Sequence, residues 1–435
     1  MVSQLHMHKV IHSDKNITVF GGLNFIFKAI SDKKLDRYLD KRIGYRNPGA
    51  RYTHSDIILS LLGSSLVQGS FIADLAVLKA KYRDQFFSKI PSADTVEYVC
   101  QQLKTDTIRE TTANGATHHL NFSTQMNATL IGLAMQTGAL KVGNQGYVMD
   151  FDHMIVETDK QDALRTYKRT KGYHPNLAFI GRIPIHLENH NGNTPAKYGQ
   201  METLQRCFGN LNDAGVSISA FRGDSASYQK EVVNVVEQHT NAFYIRISGC
   251  ESFRKKCGTV KQWKTVIIND EVKQVASIAY MPFRRAKKSY RAVIIRSLRK
   301  DKQIDMLSET PYDYHGLLTN DKSQDEKAVI EFYNARGDAE NSNRYMLGDF
   351  NLHHLPFPDM CTNTVFMYIM AMCATLFEWI KQILVLNKVK IIATSMRVKA
   401  VCFHYITVAS SYINHARKKT LKVFAPATTY HELLI

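Results

Sequence analysis

Residues 145–157 read QGYVMDFDHMIVE, a stretch in which apolar and polar side chains alternate. A period of two is that of a β-strand, and it places Asp150 and Asp152 on one face. Downstream, residues 174–189 (HPNLAFIGRIPIHLEN) predict a second strand, and 199–215 predict a helix with Leu204, Phe208 and Leu211 at helical spacing. Residues 216–224 (VSISAFRGD) predict a strand ending on Asp224, and a helix over 227–239 turns Val232, Val233 and Val236 inward. Strand, helix, strand, helix with polar residues gathered at strand ends is the pattern of an α/β sheet whose ligands sit at its carboxyl edge.

Upstream the period changes. Residues 23–30, 55–69 and 71–87 repeat apolar side chains at intervals of three and four, so an all-helical N-terminal domain is expected over 1–140. Within it, 90–103 (IPSADTVEYVCQQL) reads as a helix capped by Ser92, with Val96, Val99, Cys100 and Leu103 as its apolar stripe. Such a helix suits a DNA reader or plain packing, and with the charge of the chain and the segments that follow, a DNA-binding domain is expected here. An α/β core is expected over 141–240 and again, with C-terminal helices, over 321–435. Between these parts, 241–320 carries short β-rich runs such as AFYIRIS (242–248) and YRAVIIRS (290–297), which predict an inserted β domain.

The 435 residues include 56 Lys and Arg against 39 Asp and Glu, a formal charge of +17. With 44% hydrophobic residues the chain can bury a core, which excludes disorder as its main state. The positive excess attracts polyanions, meaning nucleic acid or anionic membrane. Membrane is disfavoured: the charge-free stretch 360–377 contains Thr362, Asn363, Thr364 and Thr375 and is closed by Glu378 and Lys381, as in a buried helix. Residues 1–16 lack the apolar core of a secretory signal, and a cytoplasmic location is expected. Seven scattered cysteines argue against both a disulfide framework and a zinc site. Basic residues crowd the insertion, among them Arg254, Lys264, Arg284, Arg285, Lys287, Lys288, Arg291 and Arg296. They form either a solvated, aggregation-deterring edge or a phosphate track, and their density favours the track.

Within this basic chain, carboxylates stand at three separated places: Asp150 and Asp152, Asp224, and Glu340. Tyr333, Arg336, Glu340 and Arg344 follow at i, i+3, i+7 and i+11, a polar stripe on the helix expected over 324–347. Carboxylates from separate elements can hold two Mg²⁺ or Mn²⁺ ions ~4 Å apart, the arrangement that drives in-line phosphodiester cleavage. His153, His174, His353 and His354 show no zinc-ligand spacing and read as surface or packing residues. The chain has neither a Gly-rich phosphate loop followed by Lys nor a GxSxG elbow, which excludes an ATP-driven motor and acyl transfer.

Six segments in order resemble the DDE transposases of bacterial insertion sequences, in the group 1 DDE domain class with a Tyr-Arg-Glu-Lys helix signature. They are PSADTVEYVCQQL (91–103), VMDFDH (148–153), KGYHP (171–175), NHNGN (189–193), FRGDSASY (221–228) and YNARGDAEN (333–341). The resemblance implies an RNase-H-like catalytic core interrupted by the β insertion before Glu340. It assigns Asp152, Asp224 and Glu340 as catalytic metal ligands, with Asp150 as the alternative first ligand. Tyr333 and Arg336 match the signature positions that touch substrate phosphates, and Trp263 either stacks on a displaced base or packs in a core. Two departures stand out: His153 and Met154 replace small hydroxyl residues, and Leu347 replaces the signature lysine, with Arg344 one turn earlier as a substitute.

The implied activity is cleavage at terminal inverted repeats with two Mg²⁺ or Mn²⁺ ions, followed by strand transfer to target DNA. The resemblance also implies a dimer in the DNA complex and a nucleoid-associated bacterial location. Two alternatives remain: an RNase-H-like nuclease without strand transfer, and a DNA-binding regulatory or inactive copy of the element.

Overall fold

The computed structural model describes residues 16–426 and Tyr430, apart from 84, 88, 144–145, 284–287, 299–310 and 416–417, and without the side chains at 338–340, 414–415 and 418. Its centre is a mixed sheet of eleven strands. In spatial order these are Ile108–Thr111, Thr117–Asn121, Ile183–His190, Asn176–Ile180, Tyr147–His153, Ile218–Gly223, Thr240–Arg246, Tyr312–Thr319, Tyr290–Leu298, Glu271–Tyr280 and Lys264–Ile268. Tyr147–His153 runs antiparallel to Asn176–Ile180 but parallel to Ile218–Gly223, which in turn runs parallel to Thr240–Arg246. The middle of the sheet therefore carries parallel strands whose carboxyl ends open on one edge.

Alternation along the central strand sets what each face meets. Met149 and Phe151 enter a core beneath the helices Gln200–Asp213 and Lys230–His239, with Leu204, Phe208, Leu211, Val232, Val233 and Val236 buried there. The opposite face carries Asp150 and Asp152, and farther along it Ala220, Tyr244 and Val293 pack beneath Val329 and Ile330 of the helix Glu326–Asn334. A third and larger core joins the N-terminal helices to the helix Met360–Leu386, which packs on His54–Leu66, Ala93–Leu103, Thr124–Gln136 and the strand Ile183–His190. Among the described residues Met360–Leu386 is the one helix long and apolar enough to cross a membrane, and 78% of its most apolar window is buried inside the protein. It is a core helix, capped by Asp359, whose side chain accepts from the Thr362 N–H at 2.9 Å.

Local chemistry explains several boundaries. Ser92 caps Ala93–Leu103 by accepting from Thr95 N–H, and Thr53 and Asp56 form a reciprocal capping box on His54–Leu66. Val96, Val99 and Cys100 of the Ser92-capped helix are buried, so its apolar stripe packs inward while Tyr98 stays exposed.

The fold departs from the sequence reading in four places. Residues 174–189 form a hairpin rather than one strand, because Gly181, with φ +59°, turns the chain between Asn176–Ile180 and Ile183–His190. The N-terminal part is not wholly helical: Asn114 and Gly115, the latter at φ +80°, turn the hairpin Ile108–Thr111/Thr117–Asn121 onto the edge of the sheet. The β-rich run over 241–320 extends the central sheet instead of forming a second one, since Tyr312–Thr319 pairs with Thr240–Arg246 on one side and Tyr290–Leu298 on the other. Lastly, the helix expected over 324–347 is two helices, Glu326–Asn334 and Gly337–Gly348, with Ala335 and Arg336 between them.

Candidate active site

Phe151 pairs with Gly223 at the carboxyl ends of two adjacent parallel strands. The next residue on each strand is an aspartate, so the sheet itself brings Asp152 and Asp224 together. Asp224 leaves the strand as the cap of a short turn, its side chain accepting from Ala226 N–H at 2.9 Å. A ligand atom from each of Asp152, His153 and Asp224 lies within 4.8 Å of the other two.

Asp152 is 8% exposed, and burial raises its carboxyl above the usual range against the pull of Arg336. Its Oδ1 meets the Arg336 guanidinium at 2.9 Å, and its Oδ2 accepts from the Asn343 amide at 2.9 Å. Ionised carboxylate oxygens offer about four lone-pair sites, so these bonds leave acceptor capacity for a cation. Two carboxylates and an imidazole on adjacent strand ends are a donor set suited to a divalent metal. The cluster fits the divalent-metal chemistry that the sequence resemblance implies.

Asp150 is engaged differently. It pairs across the sheet with Arg222, which grips both of its oxygens at 2.7 Å and donates to the Phe332 carbonyl at 2.8 Å. The alternative first ligand is thereby committed to a bidentate ion pair that ties the sheet to the helix above it.

The break after Asn334 lets both helices reach the strand ends. Tyr333 donates to the Gly223 carbonyl at 3.2 Å, and Arg336, 6% exposed, reaches Asp152 from the junction. Arg344 is exposed and lines, with Asp152, His153, Tyr167, Lys168, Asn343 and Leu347, a cleft of about 650 Å³. Glu340 belongs to the helix Gly337–Gly348, but its side chain lies outside the described residues, as do Arg284, Arg285 and Lys287. Lys288 reaches Glu237 at 2.8 Å. Trp263 is half-buried, donates to the Val260 carbonyl at 3.0 Å, and lies under the Arg296 guanidinium at 4.2 Å. Beside Asp224, a smaller pocket of about 320 Å³ is lined by Ser225, Arg246, Arg254, Tyr312, Tyr314 and His315.

Three site residues escaped the sequence reading. Arg222 was legible in principle, since it stands two residues before Asp224 just as Asp150 precedes Asp152. Asn343, three residues beyond Glu340, falls on the same helix face. His153 reads as a surface or packing residue by sequence, and only the strand end reveals it beside both aspartates.

No curated protein matches the chain. Among solved structures, a piggyBac transposase synaptic complex with hairpin DNA is 9% identical, with a TM-score of 0.43, over 90% of this chain and 77% of the other. The family described as Transposase DDE domain group 1 matches across residues 14–435. A match of that extent, on a chain whose aspartates meet at adjacent strand ends, means that the protein belongs to the DDE transposases of domain group 1, which cleave DNA and transfer its strands.

Proposed function

We propose that this protein is an insertion-sequence transposase, working at the bacterial nucleoid, that binds the terminal inverted repeats of its own element, pairs two ends as a dimer, cuts them and joins the freed 3′-OH to target DNA. The observation that carries this reading is the meeting of Asp152 and Asp224 at the ends of parallel strands, under a helix junction that delivers Arg336 and Tyr333. An antiparallel trio, Ile183–His190, Asn176–Ile180 and Tyr147–His153, followed by parallel Ile218–Gly223 and Thr240–Arg246, supports an RNase-H-like core.

In this reading Asp152, Asp224 and Glu340 hold two Mg²⁺ or Mn²⁺ ions. Bound there, such ions supply activation of the attacking oxygen and charge stabilisation at the leaving one. The chain's own part is positioning. Arg336 and Asn343 fix the Asp152 carboxylate in one orientation. Arg344 and Lys168 at the cleft mouth, with Arg246 and Arg254 in the pocket beyond Asp224, provide cations for the DNA backbone on both sides of the aspartates. Trp263 and Lys288 extend that track along the added strands, and the sequence assigns Arg284, Arg285 and Lys287 to the same DNA contact.

One observation favours a second reading. Leu347 lines the cleft where the signature places a lysine, and an apolar side chain there weakens the phosphate contact, as in a DNA-binding regulatory copy that does not cut. Incubation with Mg²⁺ or Mn²⁺ and DNA carrying the flanking ends of its own gene decides between them. Metal-dependent cuts at the ends, lost in Glu340→Gln, are expected. Tight end binding with no cutting selects the regulatory reading, and cutting that survives Glu340→Gln overturns the assigned ligand set.

A further inference from the structure

We infer that His153 is a direct nitrogen donor to the divalent ion held by Asp152 and Asp224, which makes this centre a mixed nitrogen and oxygen site that selects Mn²⁺ over Mg²⁺. The inference rests on the two-aspartate reading above and adds a ligand to it. Geometry gives the first support: a ring nitrogen of His153 lies within 4.8 Å of a carboxylate oxygen on each aspartate. Arg336 sets one positive charge against two carboxylates, and a bound cation would balance the remainder.

The second support comes from His174, 2% exposed, whose ring stands edge-on to that of His153 with centroids 4.9 Å apart. Its Nδ1 is 2.9 Å from the Thr194 carbonyl oxygen, which can only accept, so Nδ1 carries the hydrogen and Nε2 the lone pair. That Nε2 is buried with no hydrogen-bond partner, and so is Nδ1 of His153. Buried polar atoms without partners are uncommon and mark places where something else is meant to bind. The His153 orphan lies in the cluster with two carboxylates, which points to a metal there, and the His174 ring packs against it.

The donor set then decides the ion. Mg²⁺ favours an all-oxygen shell and sheds water reluctantly, whereas Mn²⁺, although the weakest binder of the first-row transition ions, is the softer of the two ions and accepts an imidazole nitrogen more readily. An Mn²⁺ ion gains from His153 what an Mg²⁺ ion does not.

The test uses the full chain without DNA, titrated with MnCl₂ and read by pulsed electron paramagnetic resonance for nitrogen coupling, with Mg²⁺ competition giving the affinity ratio. A ¹⁴N coupling from coordinated imidazole is expected in the native protein, lost in His153→Gln and kept in His174→Gln. Mn²⁺ affinity should fall on the order of tenfold in His153→Gln with Mg²⁺ affinity unchanged. Circular dichroism checks the fold, and His153→Asn serves if the first variant unfolds. Mn²⁺ that binds and is lost in Asp152→Asn, yet shows no nitrogen coupling, overturns the His153 assignment and leaves the two-aspartate reading standing. Absence of Mn²⁺ binding, or binding that survives Asp152→Asn, overturns both, while coupling that persists in His153→Gln assigns the nitrogen elsewhere.

Discussion

Asp150 and Asp152 stand two residues apart on one face of one strand, both buried, both with carboxyls raised by burial, and both touched by an arginine. Their partners across the sheet differ. Asp150 faces Arg222 in register and gives up both oxygens to it. Asp152 lies past the last pair of that ladder, where the neighbouring strand continues into Asp224, so carboxylate meets carboxylate. Burial and an arginine contact therefore do not separate a structural tie from the carboxylate that we propose as a metal ligand. What separates them is whether the neighbouring strand answers a charge with its opposite or with its like.

Removing the tie should have the largest effect on stability. Asp150→Ala leaves the Arg222 guanidinium 9% exposed and without its counterion, and should cost about 3–5 kcal/mol in urea denaturation. Asp152→Asn should cost less, about 1–2 kcal/mol: it takes the counter-charge from the buried Arg336, but it also removes a charge that burial and Asp224 penalise, and the amide keeps an oxygen for the guanidinium. Equal losses in the two variants would erase the distinction.

The sequence made this contrast only half legible. Period-two alternation placed both aspartates on one face, and the strand ending on Asp224 lies where it was expected. Register is a pairing between distant segments, and no local pattern in 145–157 says that Asp150 faces Arg222 while Phe151 faces Gly223. The helix junction escaped for a similar reason. Tyr333, Arg336, Glu340 and Arg344 fit one unbroken helical stripe by spacing, but the chain changes helix at Ala335 and Arg336, where the second helix starts on Gly337, a poor helix former. The added strands over 241–320 were visible as strands, but their attachment to the central sheet depends on the ladder between Thr240–Arg246 and Tyr312–Thr319, segments more than sixty residues apart.

Glu188 extends the comparison to a third carboxylate. It is fully buried, and burial alone would raise its carboxyl, but bonds from Arg206 at 2.6 and 2.8 Å and from His186 at 3.1 Å hold it well below the usual range. Answered by opposite charge, it belongs with Asp150. A folded pKa below the unfolded value of about 4.3 gives stability that is present above that pH and is lost as pH falls through the folded value. Glu188→Gln should cost about 2 kcal/mol at pH 7, less than Asp150→Ala because Arg206 keeps 33% of its side chain in solvent. Denaturation midpoints followed downward from pH 7 should show the variant and native protein converging once the medium is more acidic than about 4.3. A gap that stayed constant with pH would mean that shape, not charge, holds this residue.

The smallest effects concern the cleft at the Asp152 end, where Arg344 and Leu347 line one wall. Each phosphate neutralised by a cation releases counterions, so the salt dependence of DNA affinity counts backbone contacts. Arg344→Ala should flatten the slope of log affinity against log salt by about one, and Leu347→Lys should steepen it by about one, both uniformly across DNA sequences. Neither substitution touches the Asp150–Arg222 pair, so thermal stability should not follow the slopes. Slopes unmoved in both variants would take the DNA backbone away from this cleft. Asp152 and Asp224, two carboxylates set against the single charge of Arg336, would then face no polyanion that calls for a cation between them, and the contrast between the two ends of the strand pair would be one of packing alone.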